Sequence, residues 1–188
     1  MNYKSELLPV VETLRRGGTI LYPTDTLWGI GCDACNEQAI ARIFSIKKRS
    51  PNKGLIVLIA DELMLEKYVG AVSPQVKTLL QNAATPLTII YPEGRGLAAG
   101  VCAANGSVAI RIPQHDGCKW IIDKLGRPLV STSANLSGNA SPAYFADVDD
   151  EVKQAVDAIV GKKWEGTPTR NPSSIVQIDS AGEIKTIR

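Results

Sequence analysis

The sequence lacks several features that would indicate a function at once. Its 188 residues include only one histidine and four cysteines, and no long run of apolar residues occurs. A membrane-spanning helix needs about 20 predominantly apolar residues, so we expect no membrane span and no membrane partner. The N-terminal residues also lack the apolar centre of a secretory signal. We therefore expect a cytoplasmic protein with reduced thiols.

Common nucleotide-binding and catalytic motifs are missing as well. The sequence has no G-x-x-x-x-G-K-[ST] segment and no G-x-G-x-x-G between a strand and a helix. These absences exclude a standard P-loop and a dinucleotide-binding fingerprint. His115 is the single histidine, which disfavours a Ser-His-Asp triad. Any chemistry must therefore depend on positioning and electrostatics acting on charged substrates.

Cys32 and Cys35 have C-x-x-C spacing, but the sequence contains no second such pair and no pair of histidines. A structural zinc site needs four ligands of these types, so the spacing predicts two ordinary thiols and no bound metal. A thioredoxin-type role is also disfavoured, because the motif follows a glycine-containing loop and does not open a helix after a strand.

The bulk composition is that of an ordinary globular protein. Hydrophobic residues make up 44% of the chain and charged residues 21%, and the formal net charge is +2. We expect one domain over residues 1–188, large enough to bury a core without disulfides or metals. The small net charge argues against bulk binding of nucleic acid or membranes. A local basic cluster can still bind a specific anion.

Strand and helix patterns interleave along the chain, but not with strict regularity. This predicts an α/β domain with a twisted mixed parallel/antiparallel sheet and helices packed on it. Strands are predicted at 19–22, 55–60, 86–91, 108–112, 128–131, 158–160, 174–178 and 183–187, the last two as a hairpin. Helices are predicted at 5–16, 36–47, 61–68, 73–82, 117–125 and 149–156, whereas 23–31 is predicted as a turn-rich loop.

One short connection concentrates positive charge. Lys47, Lys48, Arg49 and Lys53 fall within seven residues, between an amphipathic helix pattern and a buried strand pattern. Arginine can bind phosphate or carboxylate with two parallel hydrogen bonds, and lysine adds a mobile charge. The connection is therefore either an anion site held by two rigid elements or a solvated basic loop.

Two further segments suggest a polar site. Residues 131–138 place hydroxyl and amide side chains directly after a predicted strand. Such a turn can hold an anion or nucleotide, or it can satisfy only its own backbone. Arg111 lies among apolar residues of another predicted strand, where a buried guanidinium requires an anionic partner. That partner is either a structural carboxylate or a ligand.

Taken together, these segments resemble the YrdC-like family of threonylcarbamoyl-AMP synthases, specifically its short, single-domain bacterial type. The matching segments occur in family order: PTDTLWGIG at 23–31, KKR at 47–49 with KGLI at 53–56, SVAIR at 107–111, STSANLSG at 131–138 and NPSSI at 171–175. Two departures are visible. Trp28 stands where the family has Tyr or Phe, and Ser50 stands where the family has Pro, which could shift the loop carrying Arg49 and Lys53.

The resemblance implies an open α/β fold and a nucleotidyltransferase that makes threonylcarbamoyl-AMP and pyrophosphate from L-threonine, bicarbonate and ATP. The product serves the modification of adenosine 37 in ANN-reading tRNAs, with downstream threonylcarbamoyl-transferase proteins as partners. Mg²⁺ is carried by the ATP and needs no metal site of the protein. The residues implied are Lys47, Arg49 and Lys53 for catalysis; Thr26, Arg111 and Ser133 for threonine; and Arg49, Lys53, Ser107, Ser131, Asn135, Ser141, Ser173 and Arg188 for ATP.

Two other functions compete with this one. A non-catalytic module that binds duplex RNA or the ribosome would also use a basic concave surface, although the low net charge disfavours it. A carbamoyl-phosphate-using relative of the hydrogenase-maturation type would normally carry this domain within a longer chain with zinc-finger segments, which this sequence lacks.

Overall fold

A computed structural model describes residues 3–49, 54–179 and 181–188. These residues form a nine-stranded mixed sheet with helices packed on it, which confirms the predicted fold class. The strands are β1 (Ile20–Pro23), β2 (Trp28–Gly31), β3 (Ile56–Leu58), β4 (Leu87–Tyr91), β5 (Val108–Arg111), β6 (Leu129–Ser133), β7 (Ala158–Ile159), β8 (Ser174–Ile178) and β9 (Ile184–Thr186).

The helices account for the rest of the regular structure. They are α1 (Leu8–Arg15), α2 (Glu37–Ile46), α3 (Glu62–Val69), α4 (Pro74–Gln81), α5 (Asp116–Leu125) and α6 (Asp150–Ala155), with 3-10 turns at Tyr3–Leu7, Phe145–Asp147 and Lys162–Trp164. Within the described part of the chain, no helix is both long and apolar enough to cross a bilayer.

The sheet mixes parallel and antiparallel neighbours. Its strand order is β7-β1-β2-β6-β3-β5-β4-β8-β9. The pairs β1–β7, β3–β5 and β4–β8 are parallel, whereas the other neighbours are antiparallel. Strand β6 is the fourth of the nine, next to the central strand β3, so the polar segment that follows it begins near the middle of the sheet.

Both faces of the sheet are buried by helices. Side chains alternate along a strand, and in β3 Val57 belongs to a core cluster with α2 while Leu58 belongs to a second cluster with α1 and α5. Strand β6 divides in the same way, with Val130 on the α2 side and Leu129 on the α1–α5 side. The central strands therefore consist of continuous apolar runs, as the sequence shows.

The helix ends follow the local capping signals. The side chains of Asn36, Asp61 and Ser73 accept hydrogen bonds from the backbone N–H groups of Ala39, Met64 and Val76, so each satisfies one donor of a first turn. Helix α5 ends at Gly126, which has a φ of 72° in the left-handed region that glycine adopts without strain. The predicted positions of these helices are confirmed within one or two residues.

The segment predicted as a turn-rich loop at 23–31 is partly wrong, because its second half is strand β2. The two glycines of β2 serve close packing and not a turn. A Cβ atom on Gly31 would lie 2.4 Å from the carbonyl oxygen of Val130 and 2.7 Å from the ring of Tyr22. Strand β6 also continues to Ser133, two residues beyond its prediction.

Helix α5 has an unusual cap in the single histidine of the chain. His115 Nδ1 accepts a hydrogen bond from the N–H of Cys118 at 3.1 Å, and its Nε2 lies 2.7 Å from the carbonyl oxygen of Trp164. Because Nδ1 accepts, the ring proton is on Nε2, which donates to Trp164. His115 thus holds the start of α5 against the 162–164 turn and is absent from the cavity described below.

We expect His115→Ala to lower the free energy of unfolding by about 1 kcal/mol, the usual effect of losing an N-cap. His115→Asn keeps a capping acceptor but cannot reach Trp164, so its stability should lie between those of the parent and the alanine variant. Urea denaturation with an unchanged m-value is the measurement. Equal stability of the asparagine and alanine variants would contradict a capping role.

Candidate functional site

A cavity of about 410 Å³ lies on the sheet face that α1 and α5 cover elsewhere. Its floor is a row of side chains from neighbouring strands. Ala109 of β5 and Ser131 of β6 both lie opposite Ile56 of β3. Ser133 lies opposite Gly29 of β2. Most of these residues are small, so a ligand can lie directly on the strands.

The cavity walls come from segments that are far apart in sequence. They are the turn after β1, the end of the basic connection, the segment after β6, and the residues around β8 and the last described residue. The lining residues are Thr24, Thr26, Leu27, Trp28, Gly29, Arg49, Gly54, Ile56, Ala109, Arg111, Ser131, Thr132, Ser133, Ser141, Pro172, Ser173, Ile175 and Arg188. Three of them are arginines, and among the described lining residues none is acidic.

Arg111 is the most deeply buried charge of the cavity, with only 4% of its surface exposed. Its Nη1 donates to Thr26 Oγ1 at 3.2 Å and lies 3.4 Å from Asp25 Oδ1 in an ion pair. Arg111 Nε has no hydrogen-bond partner among the described residues. The carboxylate of Asp25 therefore compensates the charge, while Arg111 also lines the cavity.

The turn after β1 holds Thr26 and Asp25 rigidly. Thr24 Oγ1 is hydrogen-bonded to Thr26 Oγ1 at 2.9 Å and donates to the carbonyl oxygen of Leu27 at 2.7 Å. Asp25 Oδ2 accepts a hydrogen bond from the backbone N–H of Gln114. A fixed turn of this kind lets the Thr26 hydroxyl and the Arg111 guanidinium face the cavity in one geometry.

Lys47 does not line the cavity, although the sequence predicts it as a catalytic residue. Its Nζ donates to the carbonyl oxygens of Ser133 and Asn135. Its own carbonyl oxygen accepts a hydrogen bond from the N–H of Ser137 at 3.2 Å. Burial, with a smaller effect from Arg49, lowers the pKa of Lys47 to about 8. Lys47 thus stabilises the conformation of the segment after β6 through these hydrogen bonds.

Asn135 has a similar structural position. Its Nδ2 donates to the carbonyl oxygens of Leu136 and Asn139, both at 2.8 Å, and its Oδ1 accepts from Ser141 Oγ. The side chain therefore folds the loop that brings Ser141 to the cavity. The local alternative for 131–138 holds for Asn135, which satisfies the nearby backbone; Ser131 and Ser133 line the cavity, and binding of an anion or nucleotide there stays a prediction.

Most of the predicted site residues are brought together by the fold. The cavity is lined by Thr26, Arg49, Arg111, Ser131, Ser133, Ser141, Ser173 and Arg188. Lys47, Asn135 and Ser107 are not in its lining, and Ser107 Oγ instead donates to Asn105 Oδ1 at 2.7 Å. Lys53 lies outside the described residues.

Two lining residues and one residue that supports the site escaped the sequence analysis. Ile56 and Ala109 belong to apolar strand patterns, and their place in the floor depends on strand register, which the sequence does not show. Asp25 lies within the motif 23–31, but its pairing with Arg111 requires β1 and β5 to be positioned relative to one another. A signal was present for Asp25, because a buried arginine predicts a carboxylate partner.

The cysteines lie away from the cavity lining. Cys32 is buried and Cys35 is half-buried, and both are free thiols. Burial raises the pKa of both, which favours the unreactive protonated form. Among residues 3–49, 54–179 and 181–188, no group of three or more His, Cys, Asp or Glu side chains could hold a metal ion.

Comparison with known proteins gives matches over nearly the whole chain. The family model for the Sua5, YciO and YrdC proteins, described as telomere recombination, matches residues 12–188. The threonylcarbamoyl-AMP synthase of Vibrio vulnificus is 35% identical over 159 residues, which cover 83% of this chain and 86% of that protein. That of Idiomarina loihiensis is 33% identical over 162 residues, covering 85% of this chain and 86% of that protein.

A solved structure agrees with these matches. The crystal structure of P. abyssi Sua5 complexed with L-threonine superposes with a TM-score of 0.87 at 26% identity, over 98% of this chain. This chain spans 54% of the length of that protein. The similarity therefore concerns one part of the longer relative.

The contacts of Lys47 generate a prediction about stability. Lys47→Met should lower the free energy of unfolding by about 2–3 kcal/mol, because it leaves two carbonyl oxygens of the segment after β6 without their donor. Lys48→Met is the matched control, because Lys48 is exposed and its ammonium pairs with the exposed Glu151. Its effect should stay below about 1 kcal/mol.

Urea denaturation of the two variants and the parent is the measurement. If Lys47→Met unfolds at the parent's midpoint, the two hydrogen bonds contribute nothing to the fold. Lys47 would then have to be explained by contact with a ligand, as the sequence predicts.

Proposed function

The chain belongs to the Sua5/YciO/YrdC family, and on that premise we propose that it is an L-threonylcarbamoyl-adenylate synthase. The enzyme uses ATP as a substrate and joins it with L-threonine and bicarbonate. The family match and the curated relatives named threonylcarbamoyl-AMP synthase support this proposal.

The observation that carries the proposal is the concentration of arginines around one cavity. Both a carbamate and a triphosphate are anions, and they repel each other on approach. Arg49, Arg111 and Arg188 all line the cavity, where partial exclusion of water strengthens their attraction to both anions. Cationic groups fixed before the reaction stabilise developing negative charge without reorganising.

Threonine fits the part of the cavity around Arg111. Its carboxylate would pair with the guanidinium of Arg111, which lines the cavity. Its hydroxyl or amine would contact Thr26 and Ser133, which line the same cavity. The P. abyssi relative has been solved with L-threonine. The ion pair with Asp25 orients the guanidinium for this contact.

ATP fits the remaining lining. Ser131 and Ser141, together with Ser173 and Arg188, supply hydroxyl and guanidinium donors along the cavity, and Arg49 faces them at the end of the basic connection. Lys53 would join them from the same connection. Mg²⁺ arrives with the triphosphate as part of the substrate. Lys47 and Asn135 would act indirectly, by shaping the segment after β6. A contact of Ser107 with ATP rests on the family resemblance alone.

The reaction follows from this arrangement. The amine of threonine reacts with bicarbonate to form a carbamate and water. A carbamate oxygen then attacks the α-phosphorus of ATP, and the bond from that phosphorus to the bridging β-phosphate oxygen breaks. Pyrophosphate leaves with the bonding electrons, and threonylcarbamoyl-AMP remains. Catalysis rests on alignment of the reactants and on charge stabilisation by the arginines.

The wider role belongs to the same proposal. The product would be passed to threonylcarbamoyl-transferase proteins, which modify adenosine 37 of ANN-reading tRNAs. Because the reaction consumes ATP, we place it in the cytoplasm. Direct contact of this chain with tRNA would be weak, in keeping with its net charge of +2.

The test is release of pyrophosphate from ATP. We expect release only when threonine and bicarbonate are both present, with threonylcarbamoyl-AMP as the second product, detected with labelled threonine. Formation of ADP and phosphate, or release that does not depend on threonine, would contradict the proposal. A further assay replaces bicarbonate and threonine with carbamoyl phosphate. Release of pyrophosphate in that assay would favour the hydrogenase-maturation type of reaction.

A parallel binding measurement addresses the non-catalytic alternative. Filter binding of duplex RNA over a salt series should show weak binding at physiological salt. Tight binding that falls steeply with salt, in a protein without pyrophosphate release, would favour the RNA-binding module.

Arg49 and Lys48 provide a sharp test of the cavity assignment. Arg49→Ala should reduce turnover by about 10²–10³-fold, as loss of a charge-stabilising donor does. Lys48→Ala should be nearly silent, because Lys48 Nζ lies 2.7 Å from Glu151 Oε1 on the exposed surface. Turnover at saturating threonine and bicarbonate, and a thermal melt, should be measured for both variants.

Two results would overturn the assignment of Arg49. Equal inactivity of the two variants would indicate a diffuse basic patch. A large drop in melting temperature for Arg49→Ala would show that this residue supports the fold, since a surface substitution normally changes stability by only about 0.5 kcal/mol.

A further inference from the structure

The connection between β7 and β8 crosses the sheet beside the cavity. In the strand order, β7 lies next to β1 at one end, and β8 lies next to β4 near the other. Strands β1, β2, β6, β3, β5 and β4 lie between them. Residues 161–173 must therefore pass from one side of the cavity to the other, and we call this segment the strap.

The strap is attached along its length to elements that form the site. The carbonyl oxygen of Trp164 accepts from His115, and the N–H of Thr169 donates to the carbonyl oxygen of Asp25 at 3.0 Å. At its far end Ser173 Oγ is hydrogen-bonded to Thr88 Oγ1 at 2.7 Å. Pro172 and Ser173 then line the cavity itself.

Glu165 attaches the strap to the opposite wall. A single carboxylate oxygen, Oε2, accepts hydrogen bonds from Trp28 Nε1 at 2.7 Å and from the backbone N–H of Phe145 at 2.6 Å. Hydrogen bonds to a carboxylate are shorter and stronger than those between neutral groups. Trp28 is nearly fully buried and lines the cavity. The hydrogen bond from its indole to Glu165 therefore fixes a residue of the cavity wall to the strap.

Phe145 completes the support of this wall. Its ring lies 5.1 Å from the ring of Trp28, with an angle of 60° between the planes. The ammonium groups of Lys162 and Lys153 lie 4.8 Å and 5.1 Å from the centre of the Phe145 ring. Cations are attracted to an aromatic face, so Lys162 attaches the strap to Phe145 a second time, close to Glu165.

We propose that Glu165 is a positioning residue for substrate binding, which fixes the Trp28 wall to the strap and so sets the width of the cavity between Trp28 and Ser173. The inference rests on the proposed function and deepens it. Glu165 is not a catalytic residue, since it is absent from the cavity lining. Tryptophan at position 28 donates its indole N–H to the carboxylate of Glu165, and phenylalanine at this position would have no such donor.

The decisive experiment measures the two Michaelis constants and kcat in a small set of variants. Glu165→Ala should raise the KM values for threonine and for ATP about tenfold, equivalent to about 1.4 kcal/mol. Its kcat should change less than about threefold, the pattern of lost uniform binding. Glu165→Gln keeps an acceptor oxygen and should restore both KM values to within about threefold of the parent.

Trp28→Phe removes the indole donor together with one ring of the side chain, and it keeps an aromatic wall. It should raise the KM values as Glu165→Ala does, and the double variant should be no worse than the poorer single variant, because both remove the same hydrogen bond. Glu183→Ala, at an exposed residue of the β8–β9 turn, is the control and should match the parent. If Glu165→Ala does not fold, the KM values of Trp28→Phe and Glu165→Gln test the positioning role of Glu165 instead.

Three results would overturn the inference. They are unchanged KM values in folded Glu165→Ala, failure of glutamine to restore them, and a fall in kcat at constant KM. Hydrogen exchange gives a readout independent of activity: residues 141–148 and 161–173 should exchange faster in Glu165→Ala than in the parent. If the parent protein does not release pyrophosphate, the proposed function fails, and unchanged exchange would separately exclude the attachment of the strap by Glu165.

Discussion

The site depends on one buried charge, the guanidinium of Arg111 in the middle of the sheet. Removing such a charge from water costs several kcal/mol unless an opposite charge and hydrogen bonds compensate it. Asp25 supplies the opposite charge at 3.4 Å, and it is itself held by the backbone N–H groups of Gln114 and Thr169. Thus the turn after β1, the segment after β5 and the strap are all fixed around one ion pair.

Strand register gives the cavity its shape. Strands β2, β6 and β5 contribute the small lining residues Gly29, Ser131 and Ala109, beside larger ones that include Trp28 and Arg111. The neighbours of these small residues along the strands include Trp28, Ile30, Val108, Ile110 and Val130, which are apolar and buried in the α2 core. Since a slip of one residue would exchange the two faces of a strand, the packing of the core also keeps the small residues on the cavity side. Stability and site geometry therefore have the same origin.

Local signals predicted much of the fold, because capping and apolar runs act over a few residues. Asn36, Asp61 and Ser73 illustrate this, and the hairpin of β8 and β9 was also predicted correctly. Strand β2 was missed because its glycines resemble turn residues, whereas Gly31 is required by the close approach of Val130 and Tyr22. The ion pair of Arg111 and the contacts of Lys47 join residues far apart in sequence, so no local pattern contains them. Family resemblance predicted most of the polar residues that line the cavity, but not that Lys47, Asn135 and Ser107 lie outside its lining.

The cationic side chains of the basic connection occupy different environments, as Lys47 and Arg49 show. Both follow α2, yet Lys47 is buried beneath the segment after β6, while Arg49 lines the cavity and donates to the carbonyl oxygen of Gly54. Lys48, between them, has a φ of 50°, and this left-handed conformation turns the chain so that its neighbours do not share one direction. The cluster looks uniform in sequence, yet its three residues differ in the structure. Lys47 is a buried ammonium that binds carbonyl oxygens, Lys48 forms an exposed ion pair, and Arg49 lines the cavity. Electrostatic catalysis needs this separation, because a charge stabilises a transition state only if its own position is already fixed.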